Sequence, residues 1–223
     1  MVKFFADRVD AGKRLASKLT QFKNKDAVVL AIPRGGVVVG FEISKALGAP
    51  LDIIVPRKIG APDNPELAIG AVAEDGTTIL NERLVNDLGV SQSFIREESE
   101  RQRVEILRRQ KSYRGDAPYP SLKNRVVIIV DDGIATGYTM KAALASVHKK
   151  GAKSVVVAIP VGPPSTIKEL ERMADHVICL YTPEEFYAIG EFYEDFSQTT
   201  DEEVKALLRI SEKSLAKPES KRG

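Results

Sequence analysis

The run Val127-Ile128-Ile129-Val130-Asp131-Asp132-Gly133-Ile134-Ala135-Thr136-Gly137-Tyr138-Thr139 decides how this chain folds. Residues 126 to 130 carry no charge and are β-branched, which is the composition of a strand buried on both faces of a parallel sheet. Met140, Ala143, Leu144 and Val147 then repeat at helical spacing and predict a helix over 139 to 150. Two adjacent acids therefore stand at the carboxyl end of a strand, and a short Gly/Thr loop leads into a helix N-terminus. Open α/β sheets bind ligands at such places. Free amides and the helix dipole suit a phosphate there, and successive N–H groups can form an anion nest. Asp-Asp-Gly alone reads equally well as a turn capped by Asp. Two carboxylates facing one loop repel each other, however, so keeping both points to a cation or a diol as their partner.

Working outward, residues 7 to 22 form an amphipathic helix with Val9, Leu15, Leu19 and Phe22 on one side. Ala27 to Ile32 is a buried strand that ends at Pro33-Arg34-Gly35-Gly36, and a helix then runs to about Leu47. Leu51 to Val55 is the next strand, and this order implies parallel strands with a right-handed crossover. Residues 56 to 66 hold three prolines and one glycine without periodicity, so they read as a long loop. Ala68 to Ala73 and Thr77 to Leu80 read as a hairpin around Glu74-Asp75-Gly76. Ser91 caps a helix with Phe94, Ile95, Val104 and Leu107 inward, and Tyr113 to Pro120 is a linker. Ser154 to Pro160 and Val177 to Tyr181 are further strands. The expectation is an α/β fold in one domain over 1–210, with a mainly parallel sheet flanked by helices and a frayed polar tail over 211–223.

Composition narrows the class. Lys and Arg number 33 against 31 Asp and Glu, for a net charge of +2, which argues against a dedicated nucleic-acid surface. The single cysteine, Cys179, sits in an apolar run and reads as a buried thiol in a reducing compartment. Met1 to Asp10 lacks an apolar signal region, and no apolar stretch is long enough to span a membrane, so a cytoplasmic protein is expected. The two histidines, His148 and His176, stand apart from other ligand types and give no metal spacing. No Gly-Lys-Ser/Thr loop is present, and Gly35-Gly36-Val37-Val38-Val39-Gly40 has the wrong spacing for a dinucleotide fingerprint.

At the residues quoted first, the chain resembles the type I phosphoribosyltransferases. Their signature is four apolar residues, two acids and a small/Thr/Gly loop, and the resemblance runs over roughly residues 25 to 195. It implies a domain core over about 25–180. It also implies that Asp131 and Asp132 hold the ribose hydroxyls of 5-phosphoribosyl-1-pyrophosphate (PRPP), while Ala135, Thr136, Gly137, Tyr138 and Thr139 wrap its 5′-phosphate. Arg34, Gly35 and Gly36 would bind the pyrophosphate, in a turn that in this family often contains a non-proline cis peptide. The bland reading of that turn is a tight connection using glycine for close packing. Arg57 and Lys58 would open a mobile catalytic loop that closes over PRPP and neutralises the leaving group; otherwise they are two solvated cations.

The resembled enzymes also carry a hood in which an aromatic ring stacks on the base. The aromatic run from Thr182 is the hood candidate, over about 182–196, with Phe186, Tyr187, Phe192 and Tyr193 as the rings, although such clusters are more often core packing. Mg²⁺ would be held mainly through PRPP, with one carboxylate at most. The partners implied are PRPP and a small-molecule base, with no nucleic acid or membrane, in a homodimer. The third acid usual in 6-oxopurine enzymes is replaced by Ala135, which disfavours such acceptors. The alternative is a PRPP-binding regulatory protein without transferase activity.

Overall fold

In the computed structural model, which describes residues 4 to 215, helices cover both faces of a parallel sheet. The chain runs α1 (Arg8–Lys18), β1 (Ala27–Ala31), α2 (Gly35–Leu47), β2 (Leu51–Ile53), β3 (Arg57–Ala61), β4 (Asn64–Val72) and β5 (Thr78–Leu80). It continues through α3 (Glu82–Asp87), α4 (Gln92–Arg114), β6 (Val126–Val130), α5 (Tyr138–Lys149), β7 (Ser154–Val161), α6 (Pro164–Leu170), β8 (His176–Tyr181) and α7 (Asp201–Leu215). The main sheet has the order β2-β1-β6-β7-β8 with every pair parallel. A second sheet, β3-β4-β5, is antiparallel. This is the expected α/β fold, with the charge-free β6 near the middle of the sheet.

Two apolar layers sandwich that sheet. On one face Val28, Leu30, Val127, Ile129 and Val157 pack against Met140, Ala143, Leu144 and Val147 of α5. On the other, Val29, Ile128, Val130 and Val156 pack against Leu15 and Leu19 and against Val39 and Ile43 of α2. Alternate residues of one strand thus feed opposite layers, which is why its sequence shows no polar alternation. Each buried aliphatic side chain contributes about 1.5–3 kcal/mol.

The segment expected as a long loop over 56–66 is instead the β3–β4 hairpin. Its prolines hid the strands because they sit where a ladder tolerates them. Pro56 precedes β3, Pro62 lies in the turn, and Pro65 lies in the part of β4 that overhangs β5, beside register irregularities at Ile59 to Ala61. The β4–β5 hairpin is as expected.

Helix α4 begins at Ser91, whose hydroxyl accepts from the Phe94 N–H at 3.2 Å. Its buried face differs from expectation. Ile95, Ile106 and Tyr113 are buried, whereas Val104 and Leu107 are 62% and 50% exposed. Helix α7 is an addition to the expected elements, although Thr200 and Glu203 form a capping box at its start. It lies on α2, α4 and β2, with Val204 buried. The first five residues of the expected tail, 211 to 215, therefore belong to a helix, and the remainder of that tail lies outside the described residues. Among the described residues no helix is long and apolar enough to cross a membrane.

Candidate active site

The carboxyl ends of β1 and β6 are neighbours, because Ala31 pairs with Val130. The turn after β1 and the acids after β6 are therefore brought against each other. A Cβ added to Gly35 would stand 1.9 Å from Asp132 Oδ2, and one on Gly36 would stand 2.9 Å from the Asp131 Cα. Glycine is what lets the two turns meet. The Pro33–Arg34 peptide within that turn is cis.

The two acids have different surroundings. Asp131 accepts from the Asp132 N–H at 2.8 Å. Burial, and then the like charge of Asp132, push the Asp131 carboxyl well above the usual carboxylate range. Asp132 is instead paired, with its Oδ2 2.7 Å from Arg8 Nε and both side chains nearly covered. Arg8 comes from the first turn of α1. It also donates from Nη1 to the Ser197 carbonyl at 2.7 Å and lies 3.9 Å over the Phe196 ring. Sequence reasoning missed Arg8, because no local pattern links it to a residue 124 positions away.

The loop after the acids ends at a glycine that starts α5. Gly137 has φ 75°, a left-handed conformation, and caps α5. Its carbonyl accepts from the Lys141 N–H at 2.9 Å, so the amides before that bond have no intrahelical partner. The Thr166 hydroxyl, from α6, donates to the Ala135 carbonyl at 2.8 Å and fixes the loop from outside. Ala135 and Thr136 are exposed, and Tyr138 and Thr139 are half-buried.

The cations divide. Arg34 faces Asp201 of α7 at 3.7 Å. Arg57 donates from Nε to Gln102 Oε1 of α4 at 2.5 Å. Lys58, its neighbour on the strand, points the opposite way and pairs with the exposed Glu66 at 2.7 Å. A cavity of about 380 Å³ opens beside the β1 turn, lined by Pro33, Arg34, Arg108, Arg109, Ser112, Tyr113 and Asp201.

The aromatic run also divides. Tyr193 is fully buried, and its hydroxyl donates to the Asp132 carbonyl at 2.6 Å. Phe192 packs between Tyr181 and Phe186. These rings form a small core that ties the 182–196 segment to the acid turn. Phe186 is half-buried and Tyr187 is 75% exposed. Cys179 is half-buried rather than fully buried, and burial pushes its thiol up to about 11, so it stays protonated. Among the described residues no group of three or more His, Cys, Asp or Glu side chains converges as a metal cage.

The phosphoribosyl transferase domain family model matches residues 5–196. Two Mycobacterium tuberculosis sequences, from different strains and each provisionally named phosphoribosyl transferase, are 44% identical over 215 residues, covering 96% of this chain and 48% of theirs. The chain thus spans about half the length of these curated relatives. The crystal structure of TT1426 from Thermus thermophilus superposes with a TM-score of 0.78 at 43% identity, covering 92% of this chain and 97% of that one. The chain belongs to the phosphoribosyl transferase domain family.

Proposed function

We propose that the protein transfers the 5-phosphoribosyl group of PRPP to a nitrogenous base and releases pyrophosphate. The observation that carries this reading is the meeting of two turns. Paired acids, and a loop whose last amides enter α5 without an intrahelical partner, stand on one strand end directly against a glycine turn that bears Arg34. A diol, a phosphate and a pyrophosphate on one ribose need those three partners within one sugar's reach.

In this reading Asp131 and Asp132 hold the ribose hydroxyls, and Ala135 to Thr139 hold the 5′-phosphate. The acids' negative field favours positive charge at the anomeric carbon, as in other oxocarbenium-like reactions. Arg34, with Arg57 of the β3–β4 hairpin, stabilises the departing pyrophosphate, and Lys58 joins them only if the hairpin shifts and its pairing with Glu66 breaks. Phe186, Phe192 and Tyr193 are engaged in packing, which leaves Tyr187 as the ring of this run available to a base. Mg²⁺ would enter with PRPP, held mainly through its oxygens, and would neutralise charge on the leaving group.

A screen of nucleobases with PRPP and Mg²⁺, following pyrophosphate release, tests this. Turnover that disappears in the folded Asp131→Asn/Asp132→Asn protein supports it. Unchanged PRPP affinity of that double variant by calorimetry refutes the assignment of the acids. PRPP binding without turnover on any base would favour a regulatory protein.

A further inference from the structure

The cavity beside the β1 turn contains more positive charge than the resemblance assigned. Arg108 and Arg109, from the last turns of α4, line it together with Arg34. Glu105 holds both in place, bonding Arg108 Nε at 2.6 Å and Arg109 Nε at 2.8 Å. Arg57 stands close enough to Arg108 and Arg109 to feel their repulsion. The counter-charges are Glu105, Asp201 and, one helical turn or two back, Glu98, which is already engaged by Arg101 and Gln102. Three guanidiniums, Arg34, Arg108 and Arg109, thus line the cavity with one acid, Asp201.

Asp201 is the unusual member. It is the first residue of α7, its Oδ1 accepts from the Tyr113 hydroxyl at 2.7 Å, and the same atom lies 3.7 Å from Arg34 Nη1. A half-exposed carboxylate placed among guanidiniums occupies the position that an anionic oxygen would take. Tyr113, buried and bonded to Asp201, has its hydroxyl pushed up to about 12 and so remains a donor.

We propose that Arg108 and Arg109 of α4 complete, with Arg34, the pocket that takes the pyrophosphate group, and that Asp201 fills it as an internal counter-ion which the incoming ligand displaces. This rests on the transferase reading, and it extends that reading to two elements, α4 and α7, that lie outside the signature. Tyr113 then passes its hydrogen bond from Asp201 to a phosphate oxygen, and ligand binding is coupled to the seating of the α7 N-terminus.

Calorimetry with magnesium pyrophosphate, and separately with ribose 5-phosphate, tests it in the intact protein, Asp201→Asn, and Arg108→Gln/Arg109→Gln. Asn keeps the acceptor for Tyr113 but removes the charge, so pyrophosphate should bind about threefold more tightly, in line with a partly exposed ion pair. The arginine variant should weaken pyrophosphate by about tenfold or more, the scale of a charge-assisted contact. Ribose 5-phosphate should be unaffected by either change. A gain of affinity cannot arise from misfolding, so the Asp201 variant keeps the test decisive. Unchanged or weaker pyrophosphate binding in Asp201→Asn, or unchanged binding in the arginine variant, overturns the proposal. Failure of ribose 5-phosphate to bind the unaltered protein would refute the transferase reading alone, with the pyrophosphate titrations still deciding the pocket.

Discussion

Replacing Arg8 by Met probes how the acid turn is held. Arg8 Nε and Asp132 Oδ2 are 2.7 Å apart, with the side chains only 12% and 14% exposed. Deleting one partner of a fully buried pair costs about 3–5 kcal/mol, and the residual exposure brings the expectation here to about 2–3 kcal/mol. Met retains an apolar stem over Phe196, so the loss reports mainly the charge and the bond to Ser197. In a domain of this size each kcal/mol moves Tm by about 2–4 °C, so a fall of about 5–10 °C is expected. Thermal unfolding of Arg8→Met, Asp132→Asn and the double variant closes a cycle. If the pair is the cause, the double variant should be less destabilised than the sum by at least about 1 kcal/mol. The freed Asp132 should also bind ribose 5-phosphate less tightly. Additive effects, or a single-variant loss under about 0.5 kcal/mol, would refute the view that Arg8 anchors the acid turn.

Three further outcomes follow from the geometry. Burial and the Asp132 charge raise the folded pKa of Asp131, so its stability contribution is complete below the ordinary carboxylate range and is lost as pH rises through the raised value. Asp131→Asn should therefore melt higher than the parent near about pH 8, with the advantage gone below about pH 4; equal Tm values at the higher pH would contradict this. Gly137→Val would force φ 75° on a β-branched residue and set a Cβ 2.7 Å from Thr166 Cγ2. It should weaken ribose 5-phosphate and PRPP together and destabilise by about 1–3 kcal/mol, whereas loss of PRPP binding alone would move the loop's role to the pyrophosphate side. Lys58→Ala separates hairpin closure from surface pairing. Lost turnover at unchanged Tm supports a catalytic cation, and unchanged turnover leaves Lys58 as the partner of Glu66.

The parts legible in the sequence were those encoded in short stretches. The charge-free β6, the helical period of α5, and the glycines of the β1 turn each carry their own physical reason within about a dozen residues. The β3–β4 hairpin was obscured because three prolines outweigh a pattern whose alternation is broken by register shifts. The inward face of α4 was misjudged because β-branched and leucine residues stand on its exposed side, while Gln110 and Glu98 are buried on the other. The hood candidate was visible as composition, but its allocation into packed and accessible rings was not.

The parallel sheet, the position of the acids at a strand end and the glycine turn into α5 are all legible along the chain. All three are consequences of side-chain periodicity and backbone freedom acting within one strand–turn–helix unit. Only the tertiary structure decided which charges meet. Arg8 reaches Asp132 from α1, and Arg108 and Arg109 reach Arg34 from α4, with Asp201 of α7 among them. Electrostatic pairing depends on distance in space, and no spacing along the chain encodes the fold that brings these helices to the turns that follow β1 and β6.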